Sequence, residues 1–282
     1  MNGRLPGEIV TVGGDRLHVV SDGTGSRPLL LSAGLGGAWF DWIPVVRLLR
    51  GERRTIAFDR PGLGGSPPVR RTGTLRAEAD RLAALARWAG APVTVVAHSF
   101  AGFHAEAFAR LHPDLVAGMV LVDPSAEPGT PRFADPLTRL APLARLAGTV
   151  AGVSGFARLA GPTVHGVAMR MMSARGNVAP PEFVRAVCTR GHVLGTFLAE
   201  DTTYRRMAAD LLILRRHRAF PDIPLCVITA LGDVRGTGEK WRRAHAALAG
   251  LSPRGRQVVL PDVGHLVQVD RPDVVAQAVR DL

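Results

Sequence analysis

One run of apolar, β-branched residues constrains this chain more than any other. It spans Val93 to Ala97, leads directly into His98 and Ser99, and is followed by Ala101, Gly102 and an Ala-rich segment reaching Leu111. A short continuous apolar run bounded by a polar break reads as a buried strand, and the alanines behind it recur at helical spacing. The spacing predicts a strand that feeds a helix through a turn too tight for large side chains. A serine at the apex of such a turn sits in strained backbone. It also faces the positive end of the following helix, which favours negative charge developing nearby.

The chain around this turn repeats the same rhythm. Glu8–Val12 and Arg16–Ser21 alternate around Gly13-Gly14-Asp15, a hairpin signal. Pro28–Ala33 and Arg54–Phe58 are further apolar strands, the first ending at Gly34-Leu35-Gly36-Gly37 and the second at Asp59-Arg60-Pro61-Gly62. Helices are predicted over Asp41–Leu49 and Thr74–Ala89, the latter with Thr74 as N-cap and Gly90 as its stop. After the strand Val116–Val122, which ends at Asp123-Pro124, strands give way to Ala, Leu and Arg at helical spacing, with breaks at Pro136, Pro142, Gly161-Pro162 and Pro180-Pro181. The strand rhythm returns at Pro224–Ala230, a helix at Glu239–Leu248, a strand at Arg256–Leu260 and a closing helix from Pro272. Strand, helix and strand at these intervals imply a parallel sheet with right-handed crossovers. The expected organisation is a core from residues 1–124 and 221–282, with residues 125–220 inserted as a helical cap.

Composition narrows the partners. The formal net charge is +11, yet all but one of the 35 basic residues are arginines scattered in short clusters, and a single Tyr is available for stacking. That argues for a solvated arginine surface and against nucleic-acid binding. Cys188 and Cys226 lie in apolar contexts without C-x-x-C spacing, as expected of free thiols in a reducing compartment. No signal peptide and no bilayer-length apolar run is evident, so the reading is cytoplasmic, with no membrane partner. No H-E-x-x-H or His/Cys cluster, dinucleotide fingerprint or Walker A motif occurs, so neither a metal nor a cofactor is expected. Nothing in the sequence fixes the oligomeric state.

The segment Ala97-His98-Ser99-Phe100-Ala101 resembles the nucleophile elbow of the α/β-hydrolase family, G-x-S-x-G, with alanine at both glycine positions. Gly264-His265, followed by Asp270 and Pro272, resembles that family's terminal loop, G-H-x-x-x-x-[DE]-x-P. Asp59 to Ser66 resembles its D-x-x-G-x-G-x-S loop. The resemblance implies the α/β-hydrolase fold, a mostly parallel central sheet with helices on both faces and an inserted helical cap. It further implies Ser99 as nucleophile and His265 as its base, with a carboxylate between them in chain order. Asp233, in Gly232-Asp233 after the strand ending at Ala230, is the favoured acid, and Asp123 is the alternative because some families with this fold take their acid there. Local sequence does not separate the two. The oxyanion would be held by the backbone amides of Phe100 and Leu35, although relatives usually carry His-Gly where this chain has Ala33-Gly34.

Other residues carry more modest expectations. Asp262 and Asp270 read as turn and N-cap residues, His98 as local packing, and His112 as a partner of helix C-terminal carbonyls. Arg60 would pair with Asp59 or a neighbouring carboxylate. His165, His192 and His217 lie in the cap. The apolar cap residues Leu137, Leu140, Leu143, Phe156, Met169, Met171, Met172, Phe183 and Phe197 suggest a greasy pocket. The leading expectation is therefore a cofactor-independent serine hydrolase acting on an ester, thioester or similar acyl bond of a small, apolar substrate. The alternatives are carbon–carbon cleavage, lyase or cyclase chemistry on the same fold, and a non-catalytic small-molecule binder.

Overall fold

The computed structural model describes residues 5–25, 27–69, 73–126, 139–234 and 236–282. Eight strands form one sheet in the order β1-β2-β4-β3-β5-β6-β7-β8. They are β1 (Glu8–Val12), β2 (Asp15–Asp22), β3 (Leu29–Ser32), β4 (Thr55–Phe58), β5 (Val93–His98), β6 (Val116–Val122), β7 (Leu225–Ala230) and β8 (Gly255–Leu260). β1 and β2 pair antiparallel through Gly13 and Gly14, at φ 59° and 86°, the two left-handed positions that a tight hairpin requires. β2 joins β4 antiparallel, and every later pairing is parallel. Because β3, β4, β5 and β7 are buried along their whole length, they read as continuous apolar runs and not as alternating ones.

Helices cover both faces. On one side α2 (Leu75–Ala89), α3 (Ala101–Leu111) and α8 (Gly238–Ala249) pack Leu82, Phe108 and Leu248 against Val95, Leu121 and Val227. On the other, α1 (Ile43–Leu49) and the C-terminal α9 (Pro272–Arg280) bury Val45, Leu49, Val275 and Val279 with Trp42 against Leu31, Val96 and Val120. Thr74 caps α2 by accepting from the Ala77 amide at 3.2 Å, and Gly90 closes it at φ 90°. His112 departs from expectation. Its Nε2 meets Asp80 Oδ1 of α2 at 2.8 Å and tethers two helices, because Asp80 offers a charged acceptor that outcompetes a carbonyl.

Between β6 and β7 lie α4 (Ala141–Val153), α5 (Phe156–Met172), α6 (Pro181–Cys188) and α7 (Gly191–His217). Pro142 and Pro181 stand in first turns, where the missing N–H costs nothing. Gly161-Pro162 does not break the chain as expected. α5 runs through Pro162, and Gly161 lets it approach α6, where a Cβ would meet the Cys188 carbonyl oxygen at 2.0 Å. The real break is Gly155 at φ 78°. α4 and α7 cross at glycines, since a Cβ on Gly148 would lie 2.4 Å from the Gly195 backbone and one on Gly191 would lie 2.3 Å from the Gly148 carbonyl. Pro136 and Leu137 fall outside the described residues.

Candidate active site

The carboxyl end of β5 delivers Ser99 into a left-handed conformation. Among the described residues, only Ser99 (φ 52°) and Asp123 (φ 40°) are non-glycine residues with positive φ. Such backbone is costly for a side-chain-bearing residue and is retained where the surroundings over-determine it. Here the Ser99 amide donates to the Val122 carbonyl at 3.0 Å, and the Ser99 carbonyl accepts from Gly102 at 2.9 Å and Ser125 at 3.1 Å. Ala97 and Ala101 are fully buried. Alanine fits both positions, whereas Gly102 has no room to spare, because a Cβ there would meet Pro124 Cβ at 2.9 Å.

His265 lies on the loop after β8, and its Nε2 is 2.8 Å from Ser99 Oγ. Its Nδ1 is 2.6 Å from Asp123 Oδ2. The carboxylate against the imidazole is thus Asp123, and the preference for Asp233 is corrected. β5 and β6 are adjacent, with His98 opposite Val122, so the residue that follows β6 emerges beside the residue that follows β5. Asp233 is carried further out by the turn after β7, and its Oδ2 instead accepts from the His265 backbone amide at 3.0 Å, orienting the loop. Asp123 Oδ1 accepts from the Ala230 amide at 2.9 Å and Trp241 Nε1 at 3.0 Å. Burial pushes the Asp123 carboxyl up, but His265 and these two donors outweigh it and hold the group below the usual carboxylate range.

His98 supports the loop from below, donating from Nε2 to the His265 carbonyl at 3.0 Å with its ring 4.6 Å from that of His265. Burial, reinforced by the neighbouring His265, pushes His98 down to about 3, so it stays neutral. His245 is wholly buried behind Asp123, bonded to Thr229 Oγ1 at 3.0 Å and the Pro124 carbonyl at 2.8 Å.

The loop after β3 runs against the serine, where a Cβ on Gly34 would lie 3.2 Å from Ser99 Cβ. Leu35 follows in that loop, and Phe100 lies at the start of α3 with its ring stacked on Tyr204 at 5.6 Å. Asp59 shapes the neighbouring turns, accepting from Trp39 N (2.7 Å), Gly65 N (2.8 Å) and His18 Nδ1 (2.8 Å). Arg60 turns away from Asp59. Its Nη1 donates to the Ala33 carbonyl at 2.5 Å and its Nη2 to the Gly34 carbonyl at 2.7 Å. It also grips Glu200 of α7 bidentately, Nε to Oε1 at 2.7 Å and Nη2 to Oε2 at 2.9 Å. Glu200 had no signal in the sequence that set it apart from Asp201 beside it in the same helical stretch, since its partner lies 140 positions away.

Residues 29–278 match the Alpha/beta hydrolase family along nearly the whole chain. The chain belongs to this family. Among solved structures it is similar to a thermophilic esterase from Thermogutta terrifontis, at 26% identity over 97% of this chain and 96% of that one, with a TM-score of 0.64. An enol-lactonase from Burkholderia xenovorans shares 22% identity over 97% and 98% of the two chains (TM-score 0.65). An epoxide hydrolase from Vigna radiata shares 16% over 97% and 96% (TM-score 0.72), a likeness of fold.

In this α/β hydrolase the inserted helices reach the carboxyl ends of the strands. A Cβ on Gly36 would strike the Phe197 ring at 2.4 Å, and one on Gly264 would lie 3.4 Å from the Met172 carbonyl. The other apolar residues expected in a pocket are dispersed. Met169 is buried with Leu266 and Val269, Phe183 packs on Trp39 at 5.1 Å, and Leu143, Phe156 and Met171 stand on the outer surface. Asp270 is no helix N-cap. Its carboxylate accepts from Ser173 Oγ at 2.6 Å, Ala174 N at 3.1 Å and Arg175 N at 3.0 Å, fastening the end of α5 to the loop that carries His265. Cys188 and Cys226 are free thiols pushed up by burial to about 12 and about 11, hence poor nucleophiles. His165 and His192 are lowered by burial. Among the described residues no group of three or more His, Cys, Asp or Glu side chains is placed to hold a metal ion. Nor is any helix among them long and apolar enough to cross a membrane.

Proposed function

We propose that the protein is a serine hydrolase that cleaves an ester, thioester or related acyl bond of a small, apolar substrate, using Ser99, His265 and Asp123. The reading is carried by one observation, the unbroken path of hydrogen bonds from Ser99 Oγ through both nitrogens of His265 to the Asp123 carboxylate. A serine hydroxyl is a weak nucleophile until a base takes its proton. His265 accepts that proton at Nε2 as Oγ attacks the acyl carbon, and Asp123 holds the Nδ1–H tautomer and stabilises the imidazolium that forms. The amides of Phe100 and Leu35 receive the oxyanion, the first aided by the N-terminal end of α3. The imidazolium then protonates the leaving group. In the second half, His265 deprotonates a water that releases the acyl chain from Ser99, and no cofactor takes part.

The helices α4 to α7 act as a cap in this reading, with Phe197 against Gly36 in the loop that follows β3. The esterase likeness agrees with acyl chemistry. A serine at the elbow is also the wrong residue for an aspartate-nucleophile route. The test is labelling of the folded protein with a fluorophosphonate probe together with p-nitrophenyl ester turnover. Both are expected, and both are expected to vanish in Ser99→Ala. Absence of labelling and turnover in well-folded protein would overturn the proposal.

A further inference from the structure

We propose that Arg60 and Glu200 are positioning residues that aim the Leu35 amide at the oxyanion, an assignment that rests on the hydrolase reading above. The peptide unit joining Gly34 and Leu35 is planar and trans, so its C=O and N–H point in opposite directions. Arg60 Nη2 fixes the Gly34 carbonyl at 2.7 Å, and Gly37 N adds a second donor at 3.0 Å. The direction of the Leu35 N–H follows from that grip. On the other side of Leu35, the Gly36 amide donates to Glu200 Oε2 at 3.0 Å, which sets the next peptide plane. One ion pair therefore holds the loop from both ends, with Arg60 Nη1 on the Ala33 carbonyl as a further anchor at 2.5 Å.

Both charged side chains are almost fully enclosed, at 3% and 13% exposure. A bidentate guanidinium–carboxylate contact in such surroundings is strong and geometrically exacting, and removal of one partner strands the other without compensation. Ala33 has no side chain able to support the loop, so the support comes from outside it. Its origin matters, because Arg60 belongs to the turn after β4 while Glu200 belongs to α7 of the insertion. Docking of the inserted helices is thereby written into the geometry of an oxyanion donor.

The experiment compares kcat and KM for a p-nitrophenyl ester and for its thionoester, in which sulfur replaces the carbonyl oxygen, across the parent, Glu200→Ala, Glu200→Gln and Arg60→Lys. Sulfur is larger and accepts hydrogen bonds poorly, so a well-aimed donor pair favours the oxygen substrate. Removal of one oxyanion donor costs about 10²–10³ in kcat, and misdirecting one costs less. Glu200→Ala is expected to lose about tenfold to hundredfold in kcat with KM little changed, and its oxygen-to-sulfur preference is expected to fall by about the same order. Glu200→Gln, which keeps an acceptor for Gly36 but not the charge, should recover part of both. Arg60→Lys, lacking the fork, should resemble Glu200→Ala. A merely structural defect lowers the active fraction and scales both substrates alike, leaving the preference untouched. An unchanged preference in Glu200→Gln and Glu200→Ala, alongside Ser99-dependent turnover, overturns the positioning role alone. Absence of Ser99-dependent turnover in the parent overturns it together with the hydrolase reading.

Discussion

Replacing Asp123 by asparagine tests the proton path more sharply than removing the serine, because the structure dictates which way the new amide must face. Oδ1 of Asp123 receives two donors, Ala230 N at 2.9 Å and Trp241 Nε1 at 3.0 Å. An NH2 group cannot occupy that position without facing two N–H groups, so the amide oxygen stays there and the NH2 is turned toward His265 Nδ1. The imidazole must then accept at Nδ1 and carry its proton on Nε2, 2.8 Å from Ser99 Oγ, where a base is needed. In a trypsin-type triad the wrong tautomer produced by the same substitution lowers kcat by about 10⁴, corresponding to about 5 kcal/mol of transition-state stabilisation. We expect a loss of that order here, in kcat and with little change in KM, measured on p-nitrophenyl esters with circular dichroism to verify folding. Asp233→Asn keeps a carbonyl oxygen for the His265 amide and is expected to stay within about tenfold of the parent, since it touches neither imidazole nitrogen. Near-parental turnover in Asp123→Asn, or a collapse confined to Asp233→Asn, would refute the reasoning.

Asp41, whose Oδ2 accepts from Ala38 N at 3.0 Å, is pushed up by burial to about 7. A carboxyl with a raised folded-state pKa contributes stability that is complete below its unfolded value near 4 and is lost as pH rises toward about 7. Asp41→Asn is therefore expected to raise Tm at pH 8 relative to the parent and to do so much less at pH 4, by scanning calorimetry; an equal offset at both would contradict it. Asp123 carries the opposite sign, so its contribution is present above about pH 4 and lost on acidification through its lowered pKa. Acid-induced unfolding of Asp123→Asn should accordingly be less steep below about pH 4 than that of the parent. Gly148→Ala introduces a methyl 2.4 Å from the Gly195 backbone, where nothing flexible can yield, and should cost about 1–3 kcal/mol, read from chemical denaturation. A neutral outcome would mean that α4 and α7 can slide apart freely.

Much of this arrangement was legible in the residues themselves. Buried parallel strands are largely apolar, Thr74 and Gly90 have one conformational use each, Ser99 follows β5, and His265 lies on the loop after β8. The carboxylate that meets His265 was harder to read because it depends on which strands are neighbours, a property of the sheet order and not of any local pattern. Asp123 directly follows the largely buried β6, and its left-handed backbone becomes visible only in three dimensions. The roles of Asp80, Asp270 and Glu200 escape local pattern for a related reason. Their partners (His112, the turn after α5, and Arg60) lie 32 to 140 positions away along the chain, and helical periodicity records that a side is buried without recording against what. Pro162 marks the limit of punctuation rules, since a helix continues past a proline when its packing against α6 is retained.

The long helix α7 has one more implication. Its middle is pinned to Arg60, and its far end is pinned to the core by Arg215, which meets Glu106 of α3 at 2.8 and 2.7 Å. An opening that carried α7 away as one body would break both fastenings and part the enclosed Arg60 and Glu200, although Glu106 would keep Arg110. In the proposed hydrolase, Ser99 would therefore be reached with α7 still seated on the core, held at two points along its length.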